Sequence, residues 1–172
     1  MQLSDKPLIS SAAIERRLGE LTRQISDDFA GSDLVVVVVL KGAMVVSADL
    51  VRGLGVPVTL EFLRARSYQG TSSSGDVEVV QMPDTPLTDK QVLIVEDIID
   101  TGHTATAVMK RLAQQEPARI AICALLDKPS RRKTPLSPDY VGFTVDDHFV
   151  VGYGLDYREQ YRHLPDIWTL SE

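Results

Sequence analysis

The chain of 172 residues is poor in several features that assign function quickly, and each absence narrows the field. There is one cysteine, Cys123, inside an apolar run, so no internal disulfide can form; a buried small hydrophobe in a reducing compartment is the expectation. No apolar stretch reaches the length of a membrane span, and the start, MQLSDKPLIS, lacks the basic opening and apolar run of a secretory signal. A cytoplasmic protein with no membrane partner follows as the expectation. No GxxxxGK[ST] loop occurs and no GxGxxG follows a strand, which removes the main support for the common ATPase and dinucleotide readings. Cations are outnumbered: the net charge is -6, and a nucleic-acid partner is not expected, because non-specific affinity comes from Lys and Arg neutralising phosphates. Internal repeats and low-complexity tracts are also missing. What remains has ordinary composition, 44% apolar and 24% charged, and a length suited to a single domain over residues 1–172.

The chain is organised around residues 92–104, VLIVEDIIDTGHT. Four apolar residues, 92–95, read as a strand buried on both faces, as a central parallel strand requires. Glu96 and Asp97 sit where that strand is expected to end, and Asp100 follows in a short turn before a helix. The turn, Asp100-Thr101-Gly102-His103-Thr104, is small, hydroxylated and glycine-bearing. Its backbone N–H groups and the following helix N-terminus would form a concave anion site suited to a phosphate. Carboxylates beside a phosphate repel it unless they hold a sugar diol or a divalent cation. The combination points to a phosphorylated sugar with magnesium, which is commonly held by hard oxygen ligands together with substrate phosphates. Any one of the acids is equally well a strand-end polar group or a helix cap. Three of them behind a buried strand and before a Thr/Gly turn are not.

Elsewhere, apolar residues at spacings of three and four (Ile14, Leu18, Leu21, Ile25, Phe29) predict a helix over 11–30, with Gly31 as its stop. Residues 34–40, LVVVVVL, predict a second buried strand, followed by Lys41-Gly42 and a helix over 42–55. A cation and a glycine at the carboxyl end of such a strand stand where open α/β sheets place ligand contacts; a helix-start turn with a solvated lysine reads equally well. Alternation over 58–68 and 76–82 predicts two strands around a Gly/Ser-rich tip, either a surface loop or an active-site lid of about 66–77. A helix over 104–114 and a third buried strand over 119–128, ending in Asp127-Lys128, come next. The basic segment 130–138, with Arg131, Arg132 and Lys133, reads as a solvated loop, and the tail carries 140–145, 149–156, Arg162 and a short strand near 167–170. His148 and His163 read as surface residues without metal-ligand spacing, and Tyr153 and Trp168 as packing residues. Strands alternating with helices argue an α/β fold, a doubly wound parallel sheet with the tail, about 128–172, as a small cap over its carboxyl edge.

The stretch EDIIDTGHT resembles the 5-phosphoribosyl pyrophosphate (PRPP) binding motif of type I phosphoribosyltransferases, in the form of the hypoxanthine-guanine branch. Motif order and spacing agree from Leu40-Lys41-Gly42 to VVGYGLDY at 150–157 and Arg162, nearly the whole chain. The resemblance implies transfer of ribose 5-phosphate from PRPP to a purine, with Mg2+ and release of pyrophosphate. By this likeness Thr101, Gly102, His103 and Thr104 would cradle the 5-phosphate, His103 through its backbone alone, and Glu96 and Asp97 would address the ribose hydroxyls and metal. Leu40, Lys41, Gly42 and Arg162 would contact pyrophosphate. Asp100 would be the general base for the purine N7 proton, Lys128 would donate to the six-position oxygen, Phe149 would stack on the base, and Val150 would offer backbone groups to its edge. Asp156 would adjoin the base and hold a second magnesium, and Ser67 and Tyr68 would belong to a mobile hairpin lid. Lysine at 128 favours a six-oxopurine, because adenine's amine facing an ammonium leaves donors without acceptors. Homodimers or homotetramers are implied. A regulator of the same fold that binds RNA or a nucleotide is a competing reading, kept open by Arg131 to Lys133; a receiver-like signalling domain has no need for the DTGHT turn. Transfer to xanthine, uracil or adenine also stays open among the enzymes.

Overall fold

The computed structural model describes residues 2–67 and 77–171. Strand β1 (Gln2–Leu3) precedes helix α1 (Ser11–Asp28), whose first turn is capped by the Ser10 hydroxyl accepting from Ala13 N at 3.3 Å. Ile14, Leu18, Leu21 and Ile25 are buried along one face of α1, as their spacing requires, and Gly31 turns the chain at φ 74°. Then come β2 (Leu34–Leu40), α2 (Met44–Gly53), β3 (Val58–Ser67), β4 (Val77–Gln81), β5 (Gln91–Ile99), α3 (His103–Ala113) and β6 (Arg119–Asp127). The strands β7 (Tyr140–Thr144), β8 (Val150–Val151) and β9 (Trp168–Ser171) complete the chain.

A six-stranded sheet runs in the order β4-β3-β2-β5-β6-β7 and is parallel except for β4, which pairs antiparallel with β3. Both faces are covered, so β2 carries no polar side chain between Leu34 and Leu40. Val36, Val38, Leu93, Val95 and Cys123 pack with α1 and α2 on one side. Val37, Val39, Val92 and Ile94 pack with α3 on the other. Burial pushes the Cys123 thiol up to about 12, an inert packing residue.

The chain winds outward from the middle of this sheet. β2, α2 and β3 go one way, β5, α3 and β6 the other, so the carboxyl ends of β2 and β5 lie side by side at the topological switch point. That geometry alone brings Lys41 and Gly42 to Glu96 and Asp97.

Two boundaries differ from the sequence reading for physical reasons. β5 does not stop before its acids: pairing with β6 continues through Glu96↔Ala124 to Ile99↔Asp127, because β6 supplies an unbroken ladder beside it. Glu96 is therefore inside a strand and 4% exposed. Residues 140–144, read as part of the tail, form the parallel edge strand β7 of the main sheet. The small second sheet, order β1-β9-β8, recruits the chain's beginning as well: Gln2 and Leu3 pair with Ser171 and Leu170, and Ile9 bridges Ile167.

Candidate active site

A cavity of about 350 Å³ opens at the switch point. Its walls include Leu40, Lys41 and Gly42 after β2, Glu96 and Asp97 on β5, Asp100, Thr101, Gly102 and Thr104 at the start of α3, and Asp156 and Arg162 from the cap. His103 opens α3 and does not line the cavity.

The anion end is built by what α3 lacks. The helix starts after Gly102 at φ 85° with no cap from that residue and no acid in its first turn; His103 N makes only a long, 3.5 Å contact to the Thr101 hydroxyl, so the leading N–H groups are weakly held. A Cβ at Gly102 would overlap the Thr134 hydroxyl, so glycine is required by space as well as by backbone. Across the cavity, Gly42 presses on Asp97: a Cβ there would overlap the Asp97 carboxylate, which itself accepts from Ile98 N at 2.9 Å. The Leu40–Lys41 peptide bond is cis.

Burial dominates the acid pair. Desolvation, then the neighbouring Asp97 charge, holds the Glu96 carboxyl well above its usual range, and Glu96 Oε1 has no hydrogen-bond partner among the described residues. Desolvation also pushes Asp97 up to about 6, against the pull of the Ile98 backbone N–H and Arg162. Two adjacent carboxyls without a cation are the chemistry of a site that receives a cation or hydroxyl donors.

The cations near the mouth are held by cap acids. Lys41 Nζ lies 2.9 Å from Glu159, and Arg162 binds Asp156 Oδ1 at 2.7 Å, Glu159 at 3.5 Å and the Gly154 carbonyl at 2.7 Å. Asp156 Oδ2 accepts from Glu159 N at 2.8 Å. Glu96, Asp97 and Asp156 share the cavity, but no group of three or more potential ligands is close enough to hold a metal unaided among the described residues.

Lys128, Phe149 and Val150 lie outside that cavity lining, in the adjoining segment after β6 and in the cap. Lys128 is 6% exposed, donates to the His148 carbonyl at 2.5 Å and lies 3.8 Å from Asp147, so its ammonium has donors to spare. Phe149 is 49% exposed, edge-on to Tyr157 at 5.6 Å, while Val150 is buried in β8 opposite Thr169. Ser67 ends β3, and Tyr68 lies outside the described residues.

The basic segment is the largely exposed loop that its composition predicts, but two of its arginines are paired. Arg132 pairs with buried Asp127, Lys133 N donates to the Thr101 carbonyl at 2.9 Å, and Arg131 reaches Asp100 at 3.1 Å. Acids 5 and 31 residues away along the chain pair with the two arginines, and a local charge count cannot see them. Sequence reasoning also missed Glu159, and Ala65 of the cavity wall, whose small side chain leaves no pattern to read. Tyr153, read as packing, is buried at φ 50° and donates its hydroxyl to Asp49 of α2. Gly154, next to it, lies so close to the Gly42 carbonyl that a Cβ would overlap it.

The site is thus a parallel sheet's switch point with an uncapped helix start, a buried and a half-buried acid side by side, and cations placed after β2 and in the cap. The chain belongs to the phosphoribosyl transferase family: the phosphoribosyl transferase domain model matches residues 8–158. Within that family it is 46% identical to a hypoxanthine phosphoribosyltransferase of Salmonella typhimurium, over 93% of this chain and 92% of that protein. It is 40% identical to a hypoxanthine-guanine phosphoribosyltransferase of Mycobacterium avium, over 95% of this chain and 84% of that one. A crystal structure of a hypoxanthine-guanine phosphoribosyltransferase from Bacillus anthracis, with HEPES in its active site, superposes with a TM-score of 0.95 at 42% identity, covering 99% of this chain and all of that one.

Proposed function

We propose that this chain is a purine salvage enzyme that transfers the 5-phosphoribosyl group from PRPP to hypoxanthine, and also to guanine, forming IMP or GMP and pyrophosphate. The observation that carries the reading is the convergence, in one cavity, of the uncapped α3 start, the Glu96–Asp97 pair and Lys41 with Arg162. A 5-phosphate has N–H donors at the turn Asp100–Thr104, a ribose diol has acceptors in Glu96 and Asp97, and a pyrophosphate has the two cations once Glu159 and Asp156 yield them.

Mg2+ fits this donor set. Magnesium takes one or two carboxylates and completes its shell with water and substrate oxygens, so a three-acid protein cluster is not needed. Asp97 and the unpartnered Oε1 of Glu96 are suitable oxygens on one side of the cavity, and Asp156 is the acid on the other. Bound there, the ion supplies positive charge to the pyrophosphate as it leaves.

Transfer breaks the bond from the ribose anomeric carbon to pyrophosphate oxygen and forms the bond from that carbon to purine N9; the N7 proton goes to Asp100. Lys41 and Arg162 take up charge on the departing group. Lys128 donates to the six-position oxygen, Phe149 offers an exposed ring face to the base, and Val150 and Asp156 lie at its two-position edge. The lone buried Cys123, and the lack of a helix long and apolar enough to cross a membrane among the described residues, support work in the cytoplasm.

The test is a parallel assay of purified protein with PRPP and magnesium against hypoxanthine, guanine, xanthine, adenine and uracil. Rapid use of hypoxanthine with adenine inert is expected, and Lys128→Ala should narrow the preference over adenine by about tenfold or more, the scale of one unsatisfied buried polar group. Turnover of no base, or a Lys128→Ala variant with unchanged base preference, sinks the assignment.

A further inference from the structure

Two arginines follow one another after β6 and serve opposite ends. Arg132 turns inward to Asp127, and both side chains are largely buried. Arg131 turns outward: its Nε lies 3.1 Å from Asp100 Oδ1, its Nη1 lies 3.3 Å from Asp147 Oδ2, and its side chain is 47% exposed. The other oxygen of Asp147 is 3.8 Å from Lys128 Nζ. Asp100, Arg131, Asp147 and Lys128 thus form one chain of alternating charge. It runs from the carboxylate assigned to the purine N7 proton to the ammonium assigned to the six-position oxygen.

Folding does not account for Arg131. Water competes with an ion pair this exposed, which makes its stability contribution small. Its geometry accounts for more, since a guanidinium is planar, with donors in a fixed fork that orients whatever carboxylate it meets. Asp100 sits on the short turn between β5 and α3, and Arg131 is its one side-chain partner among the described residues.

We infer that Arg131 is a positioning residue for the base-activating step, aiming the Asp100 carboxylate at the purine and holding it there. The inference rests on the reading of Asp100 as the acceptor of the N7 proton. On accepting that proton Asp100 becomes neutral and its ion pair ends. Asp147 keeps the guanidinium in place through that moment, and the ion pair re-forms when the proton leaves. Because Asp147 also faces Lys128, the same contact keeps acid and ammonium in register along one edge of the base.

The experiment is a double-mutant cycle on the full chain, with Arg131→Ala, Asp100→Asn and both together, and Arg131→Lys as the conservative variant. kcat and the KM for PRPP are measured at saturating hypoxanthine, with the melting temperature alongside. Misplacing a reacting group costs about tenfold to a hundredfold, so a kcat loss in that range is expected for Arg131→Ala, with the KM for PRPP and the melting temperature little changed. The lysine variant should recover part of the loss. In the Asp100→Asn background Arg131→Ala should cost nothing further, because the residue acts through Asp100. A kcat within about twofold of wild type, a rise in kcat, or an equal loss in both backgrounds overturns the inference, since a cycle without coupling places Arg131 elsewhere. Full turnover by Asp100→Asn alone is a separate result: it removes the base assignment itself, and this inference with it.

Discussion

At the scale of residues, the cations of the site are paired with acids while one pair of acids is not paired with cations. Glu96 and Asp97 are that pair, two neighbouring carboxyls pushed up by burial with no protein cation between them. A neutral isostere should relieve that cost while removing the function. Asp97→Asn is expected to stabilise the magnesium-free protein by on the order of 3 kcal/mol near neutral pH, each pKa unit being about 1.4 kcal/mol. The sign follows from linkage: a carboxyl raised from 3.8 to about 6 binds its proton more tightly in the folded state. Wild-type stability is therefore lost as pH rises through that window, and the variant's advantage grows over the same range. Thermal melts in chelator from pH 4 to pH 8 check this. A variant less stable than wild type at pH 8 contradicts it, and turnover should fall sharply in either case.

At the scale of elements, the turn between β6 and β7 shows how structural and functional roles separate within adjacent residues. Arg132 is enclosed: its Nη2 pairs with Asp127, its Nη1 has no partner among the described residues, and its side chain packs where a Cβ on Gly102 would go. Removing one partner of an enclosed pair strands the other charge. Arg132→Ala should lower stability by about 3 kcal/mol, measured by chemical denaturation. The neighbouring Arg131→Ala should change it by less than about 1 kcal/mol, as for exposed pairs in general. Equal losses would mean that both arginines hold the turn together. The periodicity of each element was legible in the sequence: the spacing in α1 and the unbroken β-branched run of β2 describe their own burial. Element ends were less so. β5 runs through Glu96 and Asp97 because β6 lies alongside, and a ladder partner is not a property of the strand's own residues.

At the scale of the whole molecule, the switch point accounts for why phosphate turn, acid pair and cations meet at all. The surface carries a further sign of assembly: Leu60 and Phe62 are exposed on one face of β3, with Val80 exposed on β4 and Met44 at the start of α2. Exposed large apolar side chains such as the Leu60 and Phe62 pair are candidates for contact sites, and a homodimer or homotetramer is the assembly we propose. Phe62→Asp should shift the mass measured by light scattering toward the monomer while the circular dichroism spectrum is kept. An unchanged mass would place the interface elsewhere.

Much of the protein was set by the sequence alone. Apolar runs dictate which strands are buried on both faces, hence a covered parallel sheet, and the Asp100–Thr104 turn places a glycine and small polar residues before the helix that follows such a strand. Tertiary structure decided which charges meet. Arg131 with Asp100, Lys41 with Glu159, Tyr153 with Asp49, and Gln2 with Ser171 are separated by 31, 118, 104 and 169 residues. Hydrophobic patterning is local and repeats along the chain, so a sequence displays it. A hydrogen bond or ion pair is a relation between two distant points, settled only when the sheet order places them within about 3 Å of each other.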